Sequence, residues 1–296
     1  MQRNLVNLLV VLGILFVITA CVCQSDRNKD STQTNSGPTG PTKVSAEKSP
    51  EKTSGSTDPT DKKKDEGDFV AEHEPISNSR YTEIDKQIRQ EKLLERAADG
   101  LNQALILPHD ITLKSKDCGD VNAFYNPDDQ SVTVCYELME QFFRDFKSEG
   151  YDDKKAYDMM FDAIRFVFLH EIGHALIDTY KLPVTANEED AADRCSSFIN
   201  LEELGDDGVK AVLAAAEAFQ VESKSSGNHP RNMADEHLLQ EQRFYNALCM
   251  LYGSNPDKYD AILTKGFLPK ERAARCPTEY QKTVESWQTL LEPWRK

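Results

Sequence analysis

The feature that most constrains this chain is an apolar stretch interrupted by three polar side chains. Residues 166–169 (Phe-Val-Phe-Leu) and 175–177 (Ala-Leu-Ile) flank the sequence His170-Glu171-Ile172-Gly173-His174. A helix that is apolar on most sides has to be buried, and burying two histidines and a glutamate without partners is costly. Side chains four residues apart lie on the same helix face, so both imidazoles can bind one metal ion. The sequence therefore predicts a buried helix that carries part of a metal site.

The His-Glu-x-x-His spacing is typical of zinc sites in which His170 and His174 are ligands and Glu171 is not. A carboxylate beside the open coordination position can take a proton from a zinc-bound water and pass it to a leaving amine. The alternative is a pair of core histidines satisfied by hydrogen bonds, since the bare pattern also occurs by chance. The apolar context favours Zn²⁺, and Gly173 leaves room for a neighbouring backbone or a metal site.

A third ligand is expected downstream, where an acidic segment begins a second helix. Leu182-Pro183 discourages continuation of the first helix, and residues 187–193 then read Asn-Glu-Glu-Asp-Ala-Ala-Asp. Glu189 and Asp193 are four apart and share a face, so we expect Glu189 to bind the metal. Asp193 would accept a hydrogen bond from the outer ring nitrogen of His170 and fix its tautomer. The alternative is that these carboxylates only cap the helix and complement its dipole.

At this point the pattern resembles a known class. His-Glu-x-x-His followed by Glu-x-x-Ala-Asp is similar to the glutamate-ligand (gluzincin) branch of the zincin metallopeptidases, although the interval is shorter than expected for thermolysin. Residues 234–237 (Ala-Asp-Glu-His), 242–246 (Gln-Arg-Phe-Tyr-Asn) and Cys249 resemble more closely a bacterial metallopeptidase family of unknown function. This second resemblance covers most of residues 75–295. It implies a zinc peptidase acting on a peptide or protein and leaves the substrate open.

The N-terminal residues predict export and lipid attachment. Residues 1–20 read as a lipoprotein signal peptide, and residues 18–21 (Ile-Thr-Ala-Cys) resemble the bacterial lipobox that makes Cys21 the lipidated N-terminus. A retained membrane helix is the alternative, but the apolar run is short for a span of about 20 residues. Residues 21–68 are polar and read as a disordered Ser/Thr/Pro/Lys tether. We therefore expect a domain anchored to the membrane by lipid, outside the cytoplasm, in the bacterial cell envelope.

Residues 69–296 are long enough for one domain with a substantial core. The net charge of the whole chain is −15, and this sign disfavours a nucleic-acid partner. Strands are predicted at 111–113 and in a hairpin of 121–125 and 131–136 that turns through 126–129. Helical periodicity predicts helices at 82–105, 137–149, 154–179, 187–200, 207–221, 233–252, 256–265 and 270–291. The predicted fold class is α+β, a mostly helical zincin-like domain with a small sheet before the active-site helix.

Two further features bear on catalysis. Residues 122–125 (Asn-Ala-Phe-Tyr) resemble the edge strand that thermolysin-like enzymes pair with their substrate, although a plain hairpin strand is an equal alternative. Peptide hydrolysis passes through an oxyanion that needs a second donor opposite the metal. His237 is the first candidate for that donor, followed by Tyr245 and Arg243, and a capping or surface role explains His237 almost as well.

Five cysteines lie in the predicted domain. Export favours disulfides, but an odd number cannot all pair within one molecule. Cys118 and Cys135 bracket the hairpin, and Cys249 and Cys276 lie on helical segments that must pack antiparallel if short loops join them. We therefore predict bridges Cys118–Cys135 and Cys249–Cys276 with Cys195 free. Several reduced core cysteines, or Cys195 as part of the zinc site, are the alternatives.

These observations favour a zinc metallopeptidase in which Glu171 is the general base. A non-hydrolytic zinc-containing envelope lipoprotein that binds a partner is the alternative from another class. Glu171 counts against it, because a purely structural site needs only ligands. Hydrolysis of cell-wall peptides would change the substrate but not the chemistry.

Overall fold

The computed structural model describes residues 63–185, 187–226 and 237–296. The predicted signal peptide, Cys21 and nearly all of the predicted tether lie outside these residues. The backbone N–H groups of Glu66 and Gly67 donate to the carbonyl of Leu107, at 2.7 and 2.9 Å. Contacts with the folded domain therefore begin slightly before residue 69. No helix in the described ranges is long and apolar enough to cross a membrane.

The N-terminal part of the described chain, up to residue 135, contains a four-stranded sheet. Its strands are β1 Phe69–His73, β2 Ile111–Lys116, β3 Ala123–Asn126 and β4 Ser131–Cys135, in the order β1-β2-β4-β3. The first two pairings are parallel, and β3 pairs antiparallel with β4 as the predicted hairpin. β3 is therefore an edge strand of the sheet. Strand β1 was not predicted, because only Phe69 of its five side chains is buried and its partner β2 lies far along the chain.

The predicted helix 82–105 is two helices, α1 Thr82–Gln90 and α2 Leu93–Ala104. Lys92 between them takes a left-handed conformation with φ 51°. The buried side chain of α1 is Ile88, and that of α2 nearest to it is Leu94. In one continuous helix these two would point about 120° apart, so the break lets both face the core.

Helices make up most of the rest of the described chain and confirm the α+β class. They are α3 Tyr136–Ser148, α4 Asp153–Tyr180, α5 Glu188–Glu203, α6 Gly205–Ser226, α7 Gln240–Ser254, α8 Asp260–Thr264, α9 Lys270–Ala273 and α10 Cys276–Leu291. The predicted helix 270–291 is interrupted, since α10 starts anew at Cys276 with a proline in its first turn. Tyr136, predicted at a strand end, begins α3. The predicted helix 233–252 lies partly outside the described residues.

Helix α4 is central, and α5 crosses it at very short range. A Cβ added to Gly173 would lie 3.1 Å from both the Cα of Ala192 and the Cβ of Cys195. A side chain at position 173 would therefore push the helices apart, and Ala192 keeps the facing surface small. This crossing brings the first turn of α5 beside the His-Glu-x-x-His segment.

Two disulfides join Cys118 to Cys135 and Cys249 to Cys276, and Cys195 is free and buried, as predicted. The first ties the segment before β3 to the end of β4. The second ties α7 to the start of α10. Since Cys118 and Cys135 are bonded to each other, their sulfur atoms are not available to a metal.

Candidate metal centre

His170 and His174 lie on consecutive turns of α4 with their inner ring nitrogens together. The two Nε2 atoms are 3.2 Å apart. His170 is buried, and the side chain of His174 is largely buried. The apolar side chains around them on α4 pack into the core, which leaves this face as the polar part of the helix.

Glu189 reaches the same point from the first turn of α5. The N-cap Asn187 accepts hydrogen bonds from the backbone N–H groups of Glu189 and Asp190, and this fixes the helix start. Glu189 Oε2 lies 3.1 Å from His170 Nε2, and its Oε1 lies 3.4 Å from His174 Nε2. One ligand atom from each of the three residues lies within 4.8 Å of the others.

These separations suit one tetrahedral metal ion. Bonds of about 2.0–2.1 Å in a tetrahedron place neighbouring ligand atoms roughly 3.3–3.4 Å apart. At this centre the two Nε2 atoms are 3.2 Å apart, and Glu189 approaches His170 Nε2 through Oε2 at 3.1 Å and His174 Nε2 through Oε1 at 3.4 Å, so one of these oxygens would be the ligand. Two imidazoles and one carboxylate are also a donor set that zinc takes in catalytic sites, with a fourth position left open.

Carboxylates hold the outer nitrogens of both histidines. His170 Nδ1 donates to Asp193 Oδ1 at 2.8 Å, the contact expected from the sequence, and His174 Nδ1 donates to Glu188 Oε1 at 2.8 Å. A carboxylate can only accept, so the hydrogen on each ring is placed at Nδ1. With a metal bound, each Nε2 would present its lone pair to it. The hydrogen bond between Glu188 and His174 was not predicted, because a glutamate at the start of a helix is also explained by capping and the helix dipole.

Arg243 of α7 supports Asp193 and lies in the lining of a cavity that also borders His170 and Glu171. Its Nε and Nη2 donate to the two carboxylate oxygens of Asp193 at 2.8 and 2.7 Å, and its guanidinium lies 4.1 Å from the ring centre of Phe219. Burial opposes ionisation of Asp193, but Arg243 and His170 together outweigh it and lower the pKa of that carboxyl. Two guanidinium nitrogens of Arg243 are thus engaged by Asp193, and its role as an oxyanion donor stays a prediction. Tyr245, the other reserve candidate, packs against the core beside Phe244.

Glu171 is buried next to the ligand group without belonging to it. Its Oε2 accepts a hydrogen bond from the backbone N–H of Tyr125 on β3 at 2.9 Å. The hydroxyl of Tyr125 in turn donates to Asp178, one turn beyond His174 on α4, at 2.9 Å. Burial raises the pKa of Glu171, which brings the group toward the range useful for a general base. The edge strand thus orients the carboxylate.

His237 lies against the same centre from the segment before α7. Its Nε2 is 2.9 Å from Glu189 Oε2, and its ring stacks over that of His170 with centroids 6.0 Å apart. The side chain is about half exposed. The first-ranked sequence candidate is therefore brought to the site, at a position open to an incoming ligand.

Two cavities meet at Glu171 and form a cleft beside β3. One has a volume of about 550 Å³ and borders residues 121–123, and the other has a volume of about 840 Å³ and borders residues 122–125. His170, Glu171 and His237 line both cavities. An extended ligand in this cleft would pass the candidate metal centre along an edge strand.

The family model described as "Putative metallopeptidase" (DUF4344) matches residues 73–291, so the chain belongs to that family. No curated protein sequence and no solved structure gives a significant match. The family match runs from the last residue of β1 to the end of α10 and includes every residue of the candidate centre. The class of protein is thus a metallopeptidase family, and its gluzincin branch stays a resemblance.

Proposed function

We propose that this protein is a zinc metallopeptidase that cleaves peptide bonds, with Glu171 as the general base. The observation that carries the proposal is the position of Glu171. It is buried beside the three candidate ligands, lines the cleft and is oriented by the Tyr125 amide. A site that served only to hold the fold together would need ligands but no such carboxylate.

His170, His174 and Glu189 would hold the zinc, with His170 and His174 presented by Asp193 and Glu188. When bound, zinc supplies Lewis acidity that activates a water and polarises a carbonyl. Glu171 then accepts the proton of the attacking water and returns it to the departing amine. His237, whose ring lies beside Glu189, would donate a hydrogen bond to the developing oxyanion.

The substrate is an extended peptide or protein segment. β3 forms one border of the cleft, and an edge strand offers backbone groups to a further chain. The Tyr125 amide is taken by Glu171, so pairing would use the other groups of the strand.

Zinc content and turnover together test this function. We expect one zinc per chain in the wild type and in Glu171→Gln, and no detectable peptide hydrolysis in the variant. Glu91→Gln, at an exposed position beyond α1, is the matched control and should behave as the wild type. Equal turnover in wild type and Glu171→Gln would contradict the proposal. A zinc-loaded wild type that cleaves no peptide would favour the non-hydrolytic binding lipoprotein.

We also propose that the domain is held at the cell envelope through lipid on Cys21, outside the cytoplasm. The lipobox-like residues and the polar segment after them support this location. Cys21→Ser should move the protein from the membrane fraction to the soluble fraction. Membrane retention of that variant would favour the alternative of a retained membrane helix.

A further inference from the structure

The smaller cavity of the cleft has both apolar and charged side chains in its lining, among them the carboxylate of Glu222 and the guanidinium of Arg243. Its volume of about 550 Å³ is in the range of small-molecule and side-chain pockets. Buried side chains from three helices form its walls, namely Leu138, Phe142, Val167 and Phe219. Glu222 follows Phe219 by one turn of α6, so both side chains lie on the same face of that helix. The function proposed above has no use for this carboxylate.

Glu222 is largely buried in the wall of this cavity, within reach of the charge of Arg243. Arg243 is near enough to favour its ionised form, but two of the guanidinium nitrogens of Arg243 are engaged by Asp193. Burial dominates and raises the pKa of Glu222 to about 7, against the opposing effect of Arg243 and His237. A cation that entered the cavity would lie near this carboxyl and favour its ionised form.

The cavity also reaches the reacting region. His170, Glu171 and the segment 121–123 that leads into β3 line it together with Glu222. A peptide that lay along β3 with its scissile bond at Glu171 would place a neighbouring side chain in this cavity.

We propose that the cavity is a specificity subsite for a lysine or arginine side chain next to the scissile bond, with Glu222 as its counter-ion. The aliphatic stem of such a side chain contacts the apolar walls while its charged end meets the carboxylate. A shorter or acidic side chain gains neither contact. The assignment rests on the proposed peptidase function and names the substrate class for it.

Peptide pairs that differ at one position test the subsite. Each pair has lysine against norleucine, or arginine against citrulline, placed in turn on either side of the cleaved bond. In the zinc-loaded wild type we expect the charged member to have a roughly 10–100-fold higher kcat/KM at one of these positions. Glu222→Gln should remove the preference while it changes cleavage of the norleucine peptide by less than about threefold. Glu241→Gln, an exposed carboxylate lining the same cavity, is the control and should keep the preference.

Cleavage without a preference for the charged member, or a preference that survives in Glu222→Gln, would overturn the subsite and leave the peptidase function intact. If no peptide is cleaved at all, the peptidase function fails, and a binding measurement then tests whether the cavity takes a cationic side chain. Calorimetry on zinc-loaded Glu171→Gln should then show tighter binding of the lysine peptide than of the norleucine peptide. A further Glu222→Gln change should abolish the difference, and equal affinities for the two peptides before that change would overturn the proposal.

Discussion

Three consecutive carboxylates at the start of α5 have three different partners. Glu188 accepts from the outer nitrogen of His174, and Glu189 faces the inner nitrogens of His170 and His174. Asp190 faces away and pairs with Arg194 at 2.8 Å. The first turn of α5 thus carries a residue that supports a ligand, a candidate ligand and a member of an ion pair.

Alanine at each position should separate these roles. Glu189→Ala is expected to lose the zinc, because only two protein ligands would remain. Glu188→Ala should weaken zinc binding at most about 10-fold, since its side chain is half exposed and acts through His174. Asp190→Ala should leave the affinity unchanged. Competition with a chromogenic chelator measures all three, and loss of zinc in Asp190→Ala instead of Glu189→Ala would contradict the assignment.

The buried pair Asp193–Arg243 should be strongly coupled. Asp193→Asn is expected to weaken zinc binding roughly 10–100-fold, because His170 loses a charged acceptor. Arg243→Gln leaves the Asp193 charge buried without its main partner and should lower stability by about 3–5 kcal/mol. Urea unfolding of both single variants and the double variant gives the coupling energy. A double variant whose loss equals the sum of the two single losses would show that the pair acts independently.

Residues within one helix were the predictable part of the site. The spacing of His170 and His174, and that of Glu189 and Asp193, follows from helix geometry. The pairing of Asp193 with Arg243 does not follow from helix geometry. Arg243 lies fifty positions further along the chain and reaches Asp193 only because of how α7 packs. The same reason applies to Glu222, whose place in the cleft depends on how α6 packs.

At the scale of elements, the crossing of α4 and α5 sets the distance between the histidines and Glu189. Gly173→Ala would place a methyl group 3.1 Å from Ala192 Cα and Cys195 Cβ, so the helices must separate by a few tenths of an ångström. We expect lower stability and weaker zinc binding. Gly100→Ala in α2 is the control, because nothing lies within 4 Å of the added Cβ. It should raise stability by roughly 0.5–1 kcal/mol and leave zinc binding unchanged. Unchanged zinc affinity in Gly173→Ala would contradict this account of the crossing.

Elements with a strong local pattern were predicted, and those that depend on distant partners were not. The hairpin of β3 and β4 and the long helix α4 follow from alternation, a turn and a continuous apolar run. β1 is held by parallel pairing with β2, and no local sequence pattern predicts that pairing. The break between α1 and α2 arises from the two directions in which Ile88 and Leu94 meet the core.

At the scale of the whole molecule, both disulfides brace elements that complete the site. Cys118–Cys135 holds the segment that leads into β3, whose Tyr125 amide orients Glu171. Cys249–Cys276 holds α7, which carries Arg243. The centre is therefore assembled from α4 and α5 and fixed from two sides by crosslinked elements.

Glu222 should leave a signature in the pH dependence of folding. Three charged groups act on it from neighbouring elements, Asp145 of α3, His237 and Arg243, yet burial is the main cause that raises its pKa to about 7. An acid whose pKa is higher in the folded chain than the ordinary 4.5 favours folding in its protonated form. This contribution is complete below about pH 4.5 and is lost as the pH rises through 7. Glu222→Gln stays neutral, so its stability relative to the wild type should increase over that interval.

The expected gain of Glu222→Gln over the wild type is about 1–3 kcal/mol between pH 5 and pH 8, or several degrees in Tm. Both proteins are compared in the same metal-loaded state, so the pH dependence of the metal centre cancels in the difference. Glu241→Gln has an exposed side chain in the folded chain and should show no such trend. Thermal unfolding at half-unit pH steps measures the curve. A constant difference between Glu222→Gln and wild type across this range would show that Glu222 is hydrated and that burial does not raise its pKa.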